Sequence, residues 1–262
     1  MINILVVGDS CIDEFVYGKI VRMSPEAPVP VFQPVKKTAN GGMAKNVYNN
    51  LITLGVSSNL ITNTEKIMKR RYVDETGINH MLLRVDTNDE CSQIDEGIRM
   101  NICNNHYTGN NFDAIIISDY NKGFLTENDI ELLCKSNKNV FVDTKKKLGE
   151  WVIDADFIKL NDQEYKRNSK FVFTNLDKLK DKLIRTKGKL GCEFNGKIFD
   201  AKEVVVRDVS GAGDTFLAAL VIEYVRTNDI LKAINFAQVC ATVVVQKLGV
   251  SVVTQEEIED YE

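Results

Sequence analysis

The sequence predicts an α/β fold with a mostly parallel central sheet sandwiched between helices. Three observations carry that expectation. Short β-branched runs alternate along the chain with segments of helical period. Runs such as Asn3-Ile-Leu-Val-Val7 and Ile115-Ile-Ile-Ser118 are apolar at nearly every position, as strands covered on both faces are. The length of 262 residues suits one large domain, or one with a small appendage.

Taken in order, strands are expected at 2–7, 114–118, 140–143, 156–159, 183–186 and 191–194. A helix is expected over 43–54, where Val47, Leu51 and Leu54 recur on one face. Thr126 followed by Asp129 reads as a capping box that opens a helix carrying Ile130, Leu133 and Cys134. A further apolar helix runs from about 215 to 225. Two stretches break the rhythm. Residues 15–35 hold all four prolines (Pro25, Pro28, Pro30 and Pro34), and 69–86 read as two strands around a turn at 76–79. Both fit a small separate β element, either a lid over a cleft or an oligomerisation ribbon. No repeat of solenoid period is present.

Composition narrows the function. Hydrophobic residues make up 44% and charged residues 27%, ordinary for a chain that buries a core. A net charge of −4 argues against broad nucleic-acid binding, which needs a basic surface. No apolar run approaches the roughly 20 residues that span a bilayer. The start, Met1-Ile-Asn-Ile, goes directly into a strand-like run without a targeting signature. Six scattered cysteines suit a reducing cytosol, and two histidines exclude a His-rich metal site. A cytoplasmic protein with neither nucleic-acid nor membrane partners is expected.

The strongest chemical signal is Asp208-Val-Ser-Gly-Ala-Gly-Asp214-Thr-Phe, which enters a helix. Small residues at Gly211, Ala212 and Gly213 let backbone N–H groups converge on an anion, helped by the helix dipole. Asp214 in the first turn is placed to take a proton from an attacking hydroxyl, the combination phosphoryl transfer requires. The bland alternative is a Gly-rich loop with a dipole-favoured Asp. Gly8-Asp9-Ser10-Cys11-Ile12-Asp13 sets two carboxylates after the first strand, where open α/β sheets bind ligands. Carboxylates hold sugar hydroxyls well; local Asx-turns are the alternative. Gly41-Gly42-Met43-Ala44-Lys45-Asn46 enters a helix with room for a ligand and an amide for a polyol, or else with plain entry glycines and a cap. Lys122, in Ser118-Asp-Tyr-Asn-Lys-Gly123, reaches a substrate phosphate or is a solvated loop lysine. Asn161-Asp-Gln-Glu164 orients metal-bound water or is an acidic first turn. Thr186-Lys-Gly188-Lys-Leu-Gly191 approaches a nucleotide or is a hairpin. Neither a Walker motif nor the protein-kinase signature set is present.

In this order, from Gly8 to about Thr254, these motifs resemble the ribokinase-like (PfkB) family of ATP-dependent sugar kinases. Within it the chain is most similar to kinase domains that phosphorylate D-glycero-β-D-manno-heptose 7-phosphate at the anomeric hydroxyl. The narrower match rests on Ser24-Pro-Glu-Ala-Pro-Val-Pro30, Leu83-Arg-Val-Asp86, Ser118–Gly123, Phe236-Ala-Gln and Val243-Val-Val-Gln-Lys-Leu-Gly249. The resemblance implies a three-layer α/β/α domain over 1–262 with a β lid from about 15–35 and 69–86. It implies that Asp214 is the catalytic base and that Gly211, Ala212 and Gly213 form the anion hole. Asp13, Gly41, Gly42 and Asn46 would hold the sugar, with Lys122 and Arg84 meeting an acceptor phosphate. Asn161 and Glu164 would stand near Mg²⁺ and the ATP phosphates, Glu164 through water. Thr186, Gly188 and Gln238 would line the nucleotide, and Asp208 and Ser210 match a loop that holds a potassium ion in many relatives. A homodimer through the lid is a further expectation.

The chain also departs from the family. After Gly55-Val-Ser-Ser-Asn-Leu-Ile-Thr62, about twenty-five residues are missing beside the acceptor site by comparison with the family pattern. A second catalytic domain of the nucleotidyltransferase kind, marked by HxGH, is not expected. Two other readings stay open: a PfkB kinase for a hexose, hexose phosphate or nucleoside, and a non-catalytic binding protein on this fold.

Overall fold

The computed structural model describes residues 2–76, 80–104 and 112–259. Its larger sheet is built from β1 (Asn3–Gly8), β4 (Ser57–Ile61), β7 (Ala114–Asp119), β8 (Val140–Thr144), β9 (Phe157–Asn161), β10 (Leu183–Thr186), β11 (Cys192–Phe194) and β12 (Lys197–Phe199). The spatial order is β12-β11-β10-β9-β8-β7-β1-β4. Strands β4, β1, β7, β8, β9 and β10 pair in parallel, and only the β10–β11–β12 edge is antiparallel.

Alternation along the strands divides the core into two layers. Ile4, Val6 and Ile116 face a cluster filled by α1 (Ala44–Thr53), α6 (Ala212–Thr227) and α7 (Ile230–Val244). Leu5, Val7, Ile115 and Ile117 face a second cluster, closed by α2 (Glu96–Cys103), α3 (Glu127–Ser136) and α4 (Asp162–Thr174). Helices on both faces of a parallel sheet give the expected three layers. Helix α6 is buried from Asp214 through Ile222, so its apolar residues lie all round rather than on one stripe. The capping box at Thr126 and Asp129 starts α3 as expected. The short helices α5 (Leu176–Leu179) and α8 (Gln255–Glu259) complete the set among the described residues.

A second, four-stranded sheet forms the expected lid. Its strands are β2 (Ser10–Met23), β3 (Pro30–Met43), β5 (Met68–Asp74) and β6 (His80–Thr87), in the order β3-β2-β5-β6. It is wider than the expected 15–35 and 69–86, because β2 and β3 continue their pairing down to Ser10 and Met43. Pro30 opens edge strand β3, and Pro34 sits opposite Gly18 at an irregularity in the ladder, positions where a missing N–H costs no regular bond. Of the expected turn at 76–79, residues 77–79 lie outside the described residues. Strand β4 ends at Ile61 and β5 begins at Met68, so residues 62–67 alone join the two sheets there.

Candidate active site

Parallel strands all end on one side of a sheet, and here β1, β7, β8 and β9 present Asp9, Asp119, Thr144 and Asn161 along that rim. Helix α6 begins at the same place. Gly211 caps it with φ +82°, a left-handed conformation that favours glycine, and a Cβ there would lie 2.7 Å from Asn46 Nδ2. The following residues, Ala212, Gly213 and Asp214, form the first turn, whose N–H groups have no partner inside the helix. The buried Asp214 carboxylate accepts a hydrogen bond from Asn46 Nδ2 at 3.0 Å and from the Tyr120 hydroxyl at 2.7 Å. Burial pushes this carboxyl above the ordinary aspartate value, against the pull of both donors and of Lys159. Burial and the Asp214 charge push the Tyr120 phenol well above its usual value, so it stays a donor.

Beside this carboxylate lies a chain of charged side chains, all buried but Lys145. Lys159 pairs with Asp143, and a Cβ added at Gly213 would lie 3.1 Å from its Nζ. Lys145 reaches Asp143 at 3.3 Å and Glu164 at 2.6 Å. Asn161 and Glu164 form a reciprocal capping box for α4, each side chain taking the other's backbone N–H at 2.8 Å. Thr186 pairs with Asn161 across β10 and β9, while Gly188 opens a short 3₁₀ turn between β10 and β11. That segment is therefore a hairpin in form, adjoining the Asn161 strand tip. Gln238 is turned to the Phe199 and Asp200 carbonyls, at 2.8 and 3.2 Å, and ties α7 to the loop after β12. Asp208 accepts the N–H groups of Ser210 at 2.8 Å and Gly249 at 3.1 Å, which fixes the loop before the helix cap.

The lid supplies the opposite wall. Asp13 packs so closely on Gly42 that a Cβ there would fall 1.9 Å from its Oδ2, so any larger residue would displace the carboxylate. Its other oxygen is ion-paired to Arg71 of β5. Arg84 grips Asp86 through two bonds of 2.7 and 2.6 Å, and Lys122 pairs with Asp89. The Arg84 contact holds the Asp86 carboxyl below its ordinary range, with Lys69 and Lys122 adding to the effect. Arg84 and Lys122 are thus each already partnered by a carboxylate.

Three of the motifs take a definite form in the fold. Gly41 and Gly42 lie at the end of strand β3, opposite Ile12 and Cys11, and lead directly into α1 as expected. Asp9 takes the N–H of Tyr120 at 2.6 Å and of Phe124 at 3.2 Å, bracing the 120–124 loop. Asn46 turns its Nδ2 to Asp214 at 3.0 Å and to the Gly211 carbonyl at 3.5 Å.

A family profile described as pfkB family carbohydrate kinase matches residues 116–257, more than half the chain and inclusive of the Asp214 loop. The chain belongs to the pfkB family of carbohydrate kinases. Membership carries the class expected from the motifs, an ATP-dependent carbohydrate kinase. The bifunctional protein HldE of a Nitratiruptor species is 32% identical over 303 aligned positions that take in 99% of this chain and 65% of that protein. This pfkB kinase therefore spans about two thirds of the length of that curated relative. The alignment is longer than the chain itself, so residues present in the relative are missing here. Among solved structures, the ribokinase of Thermotoga maritima superposes with a TM-score of 0.74 at 17% identity, covering 100% of this chain and 99% of that one. An Arabidopsis thaliana ribokinase complexed with ribose and ATP gives 0.73 at 13%, again over 100% and 99%. At those identities the likeness is one of fold.

Sequence reasoning did not single out Tyr120, Arg71, Asp143, Lys145 and Lys159, which the fold links to Asp214, Asp13 and Glu164. A signal existed for some: Lys159 is a charge inside the apolar run Phe157–Asn161, and Asp143 and Lys145 stand at a strand tip. Among the described residues no group of three or more His, Cys, Asp or Glu side chains is placed to hold a metal unaided. Among them, too, no helix is long and apolar enough to cross a membrane.

Proposed function

We propose that this chain transfers the γ-phosphate of ATP to a sugar phosphate, with heptose 7-phosphate at its anomeric hydroxyl as the favoured acceptor. The observation that carries the reading is Asp214, a buried carboxylate of raised proton affinity in the first turn of a helix that opens on Gly211. Such a group takes a hydroxyl proton as the bond to phosphorus forms, while the Gly213 N–H, and that of Ala212 once released from the Val209 carbonyl at 3.3 Å, would receive the charge that develops. The acceptor would lie between Asp214 and the lid face that carries Asp13, where Arg84, Lys122 and Arg71 are the cations a phosphate would meet. Thr186, Gly188 and Gln238 would line the nucleotide.

Magnesium fits the donor set through a single carboxylate, Glu164, in keeping with an ion that binds through few protein oxygens and keeps its waters and the substrate phosphates. When bound, it supplies charge neutralisation on those phosphates. Asp208, with Ser210, is the part of the loop suited to a potassium ion. The outer face of the lid exposes Leu83 and Val85 and suits a second copy of the chain. A cytoplasmic setting agrees with six free cysteines. The short connection at 62–67 favours one second reading, a kinase for a different acceptor such as a hexose phosphate.

The test is a phosphoryl-transfer assay across heptose 7-phosphate, fructose 6-phosphate, the unphosphorylated sugars and a nucleoside, with Asp214→Asn as control. Fastest turnover is expected with heptose 7-phosphate and is lost in the control. A faster hexose phosphate would move the acceptor assignment, and no turnover above the control on any sugar would leave a binding protein.

A further inference from the structure

Lys145 touches three working parts of the site at once. Its ammonium lies 2.6 Å from Glu164 Oε1 and 3.3 Å from Asp143 Oδ1. It also lies 5.0 Å from the centroid of the Tyr120 ring. Asp143 is shared with Lys159 beside Gly213, and Tyr120 is the donor to Asp214. The two carboxylates are buried, at 6% and 1% side-chain exposure, whereas Lys145 keeps 28%. The ammonium, on a flexible four-carbon stem, is therefore the member free to move.

The two oxygens of Glu164 are not equivalent. Oε2 takes the Asn161 N–H at 2.8 Å and is committed to the cap of α4. Oε1 is left for a metal's water shell, and it is the oxygen Lys145 holds. A buried carboxylate without a counter-charge is costly, and the pairing offsets that cost. A second positive charge arriving at the same oxygen repels the ammonium strongly in these surroundings.

Building on the kinase reading above, we propose that Lys145 is an exchangeable cation of the phosphate site. It neutralises Glu164 while no metal–nucleotide is bound, then yields Oε1 and carries its charge to the incoming phosphates. Asp143 tethers it throughout. Lysine acts as a point charge on phosphate, so such a shift demands no fixed fork geometry. The metal and Lys145 therefore compete for one atom, and removing the lysine tightens metal binding while slowing turnover.

The experiment is a Mn²⁺ titration followed by electron paramagnetic resonance at saturating non-hydrolysable ATP analogue, alongside turnover with the acceptor. In Lys145→Met the Mn²⁺ midpoint should fall about five- to tenfold, because the competing charge is gone. In the same variant kcat should drop about tenfold or more, since one cation no longer meets the phosphates. Lys145→Arg keeps a competitor and should hold the midpoint near wild type. A midpoint that stays put or rises in Lys145→Met would make the residue a structural brace and end the proposal. Lys145→Gln, which keeps a donor to Asp143, carries the same expectation if the methionine variant does not fold. Wild-type protein that binds no Mn²⁺–nucleotide at all would instead remove the kinase reading, and this inference with it.

Discussion

At the scale of single residues, the reactivity of the site is set by what surrounds Asp214. Asp214→Asn keeps the shape and removes the proton acceptor, so kcat should fall about 10²–10⁴-fold. Nucleotide affinity, measured by calorimetry, should hardly change. The pH profile follows from the raised carboxyl. Activity needs the charged form, so the acid limb of kcat/KM should sit above the ordinary aspartate value of about 4. Asn46 donates to that charged form, and Asn46→Ala should move the limb further up; an unmoved limb would detach Asn46 from the base. Asp214 was legible because the string around it needs small residues and a helix start together. Tyr120 and Lys145 were not, since their contacts join strand tips that only the folded sheet brings side by side.

Among elements, the lid is where sequence and structure differ most in extent. Its existence showed in the proline cluster and in the paired runs at 69–86, but the reach of β2 and β3 down to the cleft did not. Their inner ends read as a loop and a helix entry until the pairing of Cys11 with Gly42 is seen. The acceptor prediction belongs here. Lys122→Ala should raise KM for a sugar phosphate severalfold while sparing the slower reaction with the plain sugar, since charge-assisted bonds are about twice as strong as neutral ones. Equal loss on both would reduce Lys122 to the partner of Asp89. The outer face, with Leu83 55% exposed, makes a second prediction. Sedimentation at micromolar concentration should show a dimer that Leu83→Asp weakens; a wild type that is monomeric throughout would count against the lid contact.

For the whole molecule, near-continuous apolar runs made the parallel sheet readable, whereas β4 and β12 escaped notice because Ser57–Ile61 and Lys197–Phe199 are short and carry polar residues. Ligand linkage offers a global check. A metal–nucleotide complex at 100 times its Kd should add about 2.7 kcal/mol to stability, and Asp214→Asn should retain the resulting rise in Tm. The position of β1 has a consequence for biosynthesis. It lies between β4 and β7, strands that begin at Ser57 and Ala114, so the first strand made waits for partners translated much later. The lid and α1 wait longer still: Asn40 is held by the Val250 carbonyl and Asn50 by the Val253 N–H. Such distant pairings are slow to close and leave apolar strands uncovered meanwhile. On the ribosome, the nascent chain should therefore bind chaperones until residues near 253 emerge. Because the proposed base lies at position 214, no earlier fragment should turn over ATP.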